Sequence, residues 1–206
     1  MRRLVACMLA LLFVVGCRLD VADLAEILDR LEQDPLYTAP DFNEFAVRDS
    51  VTATELIPLF VAFAASRNVP VSFVDLQSHR PGLWGLTNVM GFGILVEESL
   101  GSEAKLAALV HELGHVCHHY KGKGVSGRAS ESEVIAESIG ILVLQDVKGL
   151  DETFRIGAAY LLNTASSGIR RTVYRQHAEV IRYCVAEMRT ALPVMQSKYS
   201  KRQPNA

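Results

Sequence analysis

Apolar residues return at helical spacing in several stretches of this 206-residue chain. In residues 20–34 they recur every three or four positions, with acidic residues and an arginine between them, which predicts an amphipathic helix. The same spacing predicts further helices over about 54–66, 102–121 and 131–146, from Asp151 onward, and over 169–192. Most of the chain is therefore expected to be helical.

Two stretches favour strands instead. "VPVSFVDL" at 69–76 and "FGILVEE" at 92–98 are rich in β-branched and apolar residues, and the segment 79–91 between them carries a proline and glycines typical of turns. We expect an α+β fold in which a small, mainly antiparallel sheet packs on a helix pair, with additional C-terminal helices. The predicted division is an N-terminal helical segment 18–68, a domain 69–195 and a frayed tail 196–206.

The first seventeen residues have a different pattern. Two arginines precede an uncharged, mostly apolar run from Leu4 to Gly16, and Cys17 follows. This order is typical of a secretory signal peptide, and "VVGC" resembles the lipobox of bacterial lipoproteins. The leader therefore predicts an exported protein, or one anchored to a membrane through a lipidated Cys17. The alternative is a cytoplasmic protein whose leader is not functional.

Composition narrows the class of protein further. Half of the residues are hydrophobic, 21% are charged and the net charge is −2, which excludes a largely disordered chain. No basic stripe is present, so a nucleic-acid partner is not predicted. Arg170, Arg171, Arg175 and Arg182 form a mildly basic helix face, for which solvation is the plain explanation. Cys117 and Cys184 either pair in a disulfide or remain buried thiols.

The segment "VHELGHVCHHY", residues 110–120, offers metal-binding chemistry. His111 and His115 are four apart, so on a helix both imidazoles lie on one face and can reach one zinc ion. Glu112 is rotated off that face and can reach a water beside the metal, as in the H-E-x-x-H arrangement. His118 is too far along the helix to share the ion. We expect His118 and His119 to lie at the surface or to support the metal ligands from outside.

A third ligand is expected from the next helix, "SESEVIAESIGIL" at 130–142. Glu133 is favoured, with Glu137 either orienting a histidine or replacing Glu133 as ligand, and Glu131 as a weaker alternative. Small residues at Gly114, Ala136 and Gly140 predict close packing of the two helices. The competing interpretation is a capping box from Ser130 to Glu133. Tyr160, Tyr174 and His177 are candidates to stabilise an oxyanion, although a packed core position is favoured for His177.

"HELGH", with the Glu133-Val134-Ile135-Ala136-Glu137 run after it, resembles gluzincin-type metallopeptidase domains of the ImmA/IrrE and ArdC-like families. The resemblance covers about residues 69–146. It implies a zincin-like fold, His111, His115 and Glu133 as ligands of Zn²⁺, and Glu112 as catalytic base. It also implies that the strand "FGILVEE" is the one beside which an extended peptide would lie.

We therefore predict a zinc-dependent peptide-bond hydrolase that acts on peptide or protein substrates. Two alternatives remain at this level. One is a non-catalytic domain in which zinc braces the fold, and the other is an ArdC-like antirestriction or DNA-associated protein. The acidic balance of the chain and its leader both disfavour the second alternative.

Overall fold

The structure is a computed structural model and describes residues 19–88, 93–121, 129–145, 147 and 149–192. The predicted leader with Cys17 and the predicted frayed tail lie outside the described residues. The described part is α+β, with seven helices and a small three-stranded sheet. None of its helices has the length and apolar character needed to cross a membrane.

The helices occupy most of the described chain. They are α1 (Val21–Gln33), α2 (Phe42–Ala46), α3 (Val51–Ala65), α4 (Ser102–Lys121), α5 (Ala129–Leu144), α6 (Asp151–Thr164) and α7 (Ser167–Arg189). All six helices that the apolar spacing predicts are present among the described residues, as α1 and α3 to α7. The short helix α2 was not predicted, because five residues are too few for a helical period to be visible.

Side-chain caps explain where several helices begin. The Asp20 carboxylate accepts a hydrogen bond from the Val21 backbone N–H, and Asp23 closes a capping box back to Asp20. Ser50 caps α3 by accepting from the Ala53 backbone N–H, so α3 starts three residues earlier than its apolar pattern predicts. The competing interpretation of a capping box from Ser130 to Glu133 is wrong, because α5 has already begun at Ala129.

The sheet contains strands β1 (Val71–Val74), β2 (Gly85–Asn88) and β3 (Gly93–Glu97) in the order β1-β3-β2. β3 pairs antiparallel with β2 and parallel with β1. The sheet is therefore mixed, and the prediction of a mainly antiparallel sheet is wrong. The physical reason is that β3 lies between the two earlier strands. It runs antiparallel to β2, which precedes it directly, and parallel to β1.

The central helix pair is α4 and α5, and small residues let the two helices approach closely. A methyl group added at Gly114 would lie 2.8 Å from the Ala136 carbonyl oxygen, well inside van der Waals contact. Gly140 faces the backbone of His111 across the same interface. The prediction that small residues allow this close packing is confirmed.

The larger of two apolar clusters among the described residues surrounds this pair. It combines residues of the predicted N-terminal segment, such as Leu28 and Phe60, with Leu109, Ile139 and Cys184 from the later helices. Burial of such side chains is the main favourable term in folding. The N-terminal helices therefore share the core that holds α4 and α5 in place.

Candidate metal centre and active site

Two histidines from successive turns of α4 meet at one point. His111 and His115 are four residues apart, and their Nε2 atoms lie 3.1 Å from each other. Their side chains are only 14% and 15% exposed. Both imidazoles therefore face a partly enclosed space rather than bulk water.

Glu133, in the second turn of α5, closes a triangle with the two histidines. Its Oε2 lies 3.4 Å from His111 Nε2, and its Oε1 lies 3.3 Å from His115 Nε2. Ligand atoms placed tetrahedrally at about 2.1 Å from an ion lie about 3.4 Å apart. The donor set and its spacing therefore fit one zinc ion, and among the described residues these three form a group that could hold a metal.

The outer nitrogen of each histidine has its own partner on α5. His111 Nδ1 lies 2.7 Å from Glu137 Oε2, and His115 Nδ1 lies 3.1 Å from Ser132 Oγ. Gly157 on α6 leaves room for Glu137, because a methyl group there would lie 2.5 Å from Glu137 Oε1. Partners of this kind fix ring orientation in metal sites and leave Nε2 pointing at the ion.

The carboxylates of Glu133 and Glu137 dominate the electrostatics around the two histidines. Burial disfavours a charged imidazole at His111, but hydrogen bonds with Glu133 and Glu137 outweigh burial and raise its pKa to about 10. Burial also opposes the charge on Glu133, yet contacts with both histidines hold the pKa of that carboxyl far below its ordinary value. The centre is therefore suited to positive charge, whether a proton or a metal ion.

Tyr160 on α6 stands beside this triangle. Its hydroxyl donates a hydrogen bond to Glu133 Oε2 at 2.9 Å, and its ring meets His111 edge-on with centroids 5.9 Å apart. Burial and the neighbouring Glu133 carboxylate raise the pKa of Tyr160 well above its ordinary value. The phenol therefore keeps its proton at neutral pH, and that proton is the one it donates to Glu133.

Glu112 lies next to the two histidines but is held by the sheet. It is 6% exposed, and its Oε2 accepts a hydrogen bond from the Thr87 hydroxyl of β2 at 2.6 Å. On the other side of the carboxyl group, a methyl group added at Gly85 would lie 2.8 Å from Glu112 Oε1. Strand β2 thus confines a carboxylate that belongs to α4.

All five side chains border one cleft of about 770 Å³. Its polar side carries His111, Glu112, His115, Glu133 and Tyr160, which come from three helices. Its apolar side is lined by residues of α2, α4, α6 and β2, and by the residue just before β2. They include Phe42, Ala107, Ile156, Leu86 and Trp84. A cleft with an apolar wall and a few converging polar groups is the usual form of a small-molecule or peptide site.

Other predicted residues lie away from the triangle. His118 is buried, 7% exposed, and packs edge-on against the half-buried His177 with ring centroids 5.8 Å apart. Of the two positions expected for His118, the one at the surface is wrong, because α4 packs against α7 there; His119 is exposed. Glu131 is not part of the metal-binding group, and the Tyr174 hydroxyl lies 3.1 Å from Ser138 Oγ in the core.

The two cysteines of the described chain are both free thiols. Cys184 is buried in the core, and Cys117 is half-buried. A hydrogen bond from Cys184 lowers the pKa of Cys117 and burial opposes this shift. Of the two predicted alternatives, the structure therefore contains the pair of thiols, hydrogen-bonded to each other and without a disulfide.

Comparison with known proteins gives no match to a family model, to a curated protein or to a solved structure. The resemblance to gluzincin-type domains therefore rests on the motif residues themselves. The geometry of the site and the α+β class of the fold are what the structure adds to those residues.

Proposed function

We propose that this chain is a zinc-dependent peptidase in which His111, His115 and Glu133 hold one Zn²⁺ and Glu112 is the general base. The observation that carries the proposal is the convergence of three ligand atoms at tetrahedral spacing in an open cleft, with a buried carboxylate beside them. Zinc bound there would act as a Lewis acid, lowering the pKa of a water and polarising a carbonyl group.

The chain's own residues account for the proton transfers. Glu112 accepts a proton from the attacking water and returns it to the leaving amine, so one carboxylate serves both half-reactions. Tyr160 remains protonated, and because its hydroxyl donates to Glu133 Oε2, its proposed role is to hold that carboxylate toward the centre. Glu137 and Ser132 hold the two imidazoles in the orientation that ligation requires.

An extended substrate has a different place from the one that the sequence implied. β3, the "FGILVEE" strand, has β1 on one side and β2 on the other, so that expectation is wrong. Among the described strands β2 is bonded on one side only, and it borders the cleft. The edge strand of a sheet is the usual place at which an extended peptide adds as a further strand.

Two features favour a catalytic site over a zinc-braced, non-catalytic domain. Structural zinc sites are usually closed by four protein ligands, whereas catalytic sites have three and keep a position open. Among the described residues the metal-binding group has three members, and it lies in a cleft rather than in the core. The buried carboxylate of Glu112 also borders the same cleft, where a general base is needed.

The test is to measure zinc content and peptide hydrolysis on the same preparations. We expect one zinc per wild-type chain, cleavage of members of a peptide library, and loss of cleavage with a chelator that zinc restores. His111→Ala and Glu133→Ala should bind less than stoichiometric zinc and lose cleavage. Wild-type chain that binds no zinc, or that is loaded with zinc and cleaves nothing in the library, would refute the proposal.

A further inference from the structure

Strand β2 borders the cleft, and it also carries residues that lie against the Glu112 side chain. Its residues alternate between half-buried Gly85 and Thr87 and exposed Leu86 and Asn88. Successive side chains of a strand point to opposite faces, so Gly85 and Thr87 share the face that packs on α4. Thr87 bonds to the Glu112 side chain, and Gly85 lies beside the same side chain.

The contact from Thr87 is a short one. Its Oγ1 lies 2.6 Å from Glu112 Oε2 and 3.1 Å from the backbone oxygen of Glu112. A hydroxyl has one proton to donate, and the shorter distance assigns it to the carboxylate. An O–H···O⁻ distance of about 2.5–2.7 Å is typical of a charge-assisted hydrogen bond. Threonine is also stiff about χ1, so the donor stays where the backbone of β2 places it.

Gly85 limits the other side of the same carboxyl group. A methyl group built there would lie 2.8 Å from Oε1 and 2.9 Å from Cγ of Glu112, so a larger residue would displace the whole side chain rather than its tip. The Thr87 hydroxyl thus holds Glu112 on one side, and on the other side there is room for Glu112 only because residue 85 is glycine. Neither residue belongs to the H-E-x-x-H motif or to the metal-binding group.

From this arrangement we infer that Thr87 is a positioning residue, whose hydroxyl holds the Glu112 carboxylate in the orientation needed to accept a proton. The inference rests on the proposed function, and it adds a residue that acts through the base rather than on the substrate. The strand that is suited to pairing with the substrate is then also the strand that orients the base. A misplacement of about 1 Å in a catalytic group can cost about 100-fold in rate.

The experiment compares Thr87→Val, Thr87→Ser and Gly85→Ala with the wild-type protein. Thr87→Val keeps the shape and removes the donor, so kcat should fall by about 10- to 100-fold while KM and zinc content stay unchanged. Thr87→Ser restores the donor and should recover most of the loss. Gly85→Ala, which keeps the hydroxyl but displaces Glu112, should also lower kcat. A purely structural role for Thr87 would not give selective loss of kcat with recovery by serine.

Thr172→Val is the matched control, because it removes an exposed hydroxyl of α7 that bonds only to the Gly168 backbone oxygen among the described residues. It should leave kcat unchanged. If Thr87→Val does not fold, as judged by circular dichroism, then Gly85→Ala and Thr87→Ser decide. Wild-type kcat in Gly85→Ala would overturn the inference, and a lowered kcat there with near wild-type kcat in Thr87→Ser would support it.

A second readout is independent of turnover. Acetohydroxamate chelates zinc and gives its hydroxyl proton to a nearby carboxylate, so its affinity for the zinc-loaded protein reports where Glu112 points. We expect Thr87→Val to weaken this affinity by about tenfold, equivalent to about 1.4 kcal/mol. Thr87→Ser and Thr172→Val should bind it as the wild-type protein does.

The two proposals fail in different ways. If the wild-type protein cleaves peptides and Thr87→Val keeps both its kcat and its acetohydroxamate affinity, the role of Thr87 is refuted while the peptidase proposal stands. If zinc-loaded wild-type protein cleaves nothing, the peptidase proposal is refuted. Acetohydroxamate then decides on Thr87 alone: weaker binding by Thr87→Val supports its positioning of Glu112, and unchanged binding refutes it.

Discussion

Two buried glutamates on either side of the connection from β3 to α4 have opposite surroundings. Glu97, at the end of β3, is 1% exposed and accepts hydrogen bonds from the backbone N–H groups of Leu76, Gln77 and Ser99. Glu112, in α4, is 6% exposed and accepts one side-chain hydrogen bond among the described residues, from Thr87. The first carboxylate is surrounded by donors, and the second borders a cleft.

This difference distinguishes a structural carboxylate from a candidate catalytic one. Burying a charged group costs free energy unless hydrogen bonds compensate it, and at Glu97 three N–H groups do so. They also tie the segment before β2 to the end of β3, because Leu76 and Gln77 belong to that segment. Glu112 retains acceptor capacity facing the cleft, which a general base needs and a structural carboxylate does not.

The largest effect that tests this comparison is expected from Glu112→Gln. The amide keeps the shape and can still accept from Thr87, but it cannot take up a proton, so kcat should fall by about 10³-fold. Zinc content should remain that of the wild-type protein, because Glu112 is outside the metal-binding group. Glu98→Gln, an exposed neighbour of Glu97, is the control and should keep full activity. Full turnover by the Glu112→Gln protein would remove this residue from its proposed role.

Glu137→Gln is expected to have the next largest effect, on zinc affinity. The Glu137 carboxylate lies 2.7 Å from His111 Nδ1, and loss of such a partner typically weakens metal binding by about 10- to 100-fold. Competition with a zinc-sensitive dye measures the change. Glu179→Gln, an exposed glutamate of α7, provides the matched control. Equal affinities in both variants would show that Glu137 does not support the metal centre.

The H-E-x-x-H residues could be predicted from sequence because their geometry is local. Two histidines four apart on one helix share a face wherever that helix lies, and the following helix could be searched for an acid. Glu133 was favoured on that basis and does lie 3.4 Å from His111 Nε2. The small residues Gly114 and Gly140 predicted the close approach that brings the two helices together.

Contacts between distant segments could not be predicted in this way. Thr87 lies on a four-residue strand, "GLTN", whose composition gives no strand signal, and its contact with Glu112 depends on how the sheet packs on α4. Arg170 was expected on a solvated face but is 1% exposed, because α1 packs over α7 and Glu32 pairs with the guanidinium. In each case the partner is remote in sequence, and periodicity carries no information about it.

Glu97→Gln tests whether the hydrogen bonds to the buried Glu97 carboxylate stabilise the fold. The amide NH₂ group would replace one acceptor and face a backbone N–H, leaving donors unsatisfied in a buried place. We expect the free energy of unfolding to fall by about 1–3 kcal/mol, as measured by urea denaturation. The exposed Glu98→Gln variant should be close to the wild-type protein in stability. A Glu97→Gln protein as stable as wild type would mean that these hydrogen bonds do not compensate burial as we infer.

The smallest expected effect is the pH dependence of that same stability difference. Burial opposes the charge on Glu97, but hydrogen bonds from Ser99, Gln77 and Leu76 outweigh it and lower its pKa from 4.5 to about 2. A carboxyl whose pKa is lowered by folding stabilises the folded state fully above its unfolded pKa and loses that contribution as pH falls. The wild-type advantage over Glu97→Gln should therefore be constant above about pH 5 and shrink from about pH 4.5 toward pH 2. Urea denaturation of both proteins at pH 7, 4.5 and 3.5 measures it. Because other carboxylates titrate equally in both proteins, a stability difference that stays constant over this range would show that Glu97 does not ionise in the way its hydrogen bonds imply.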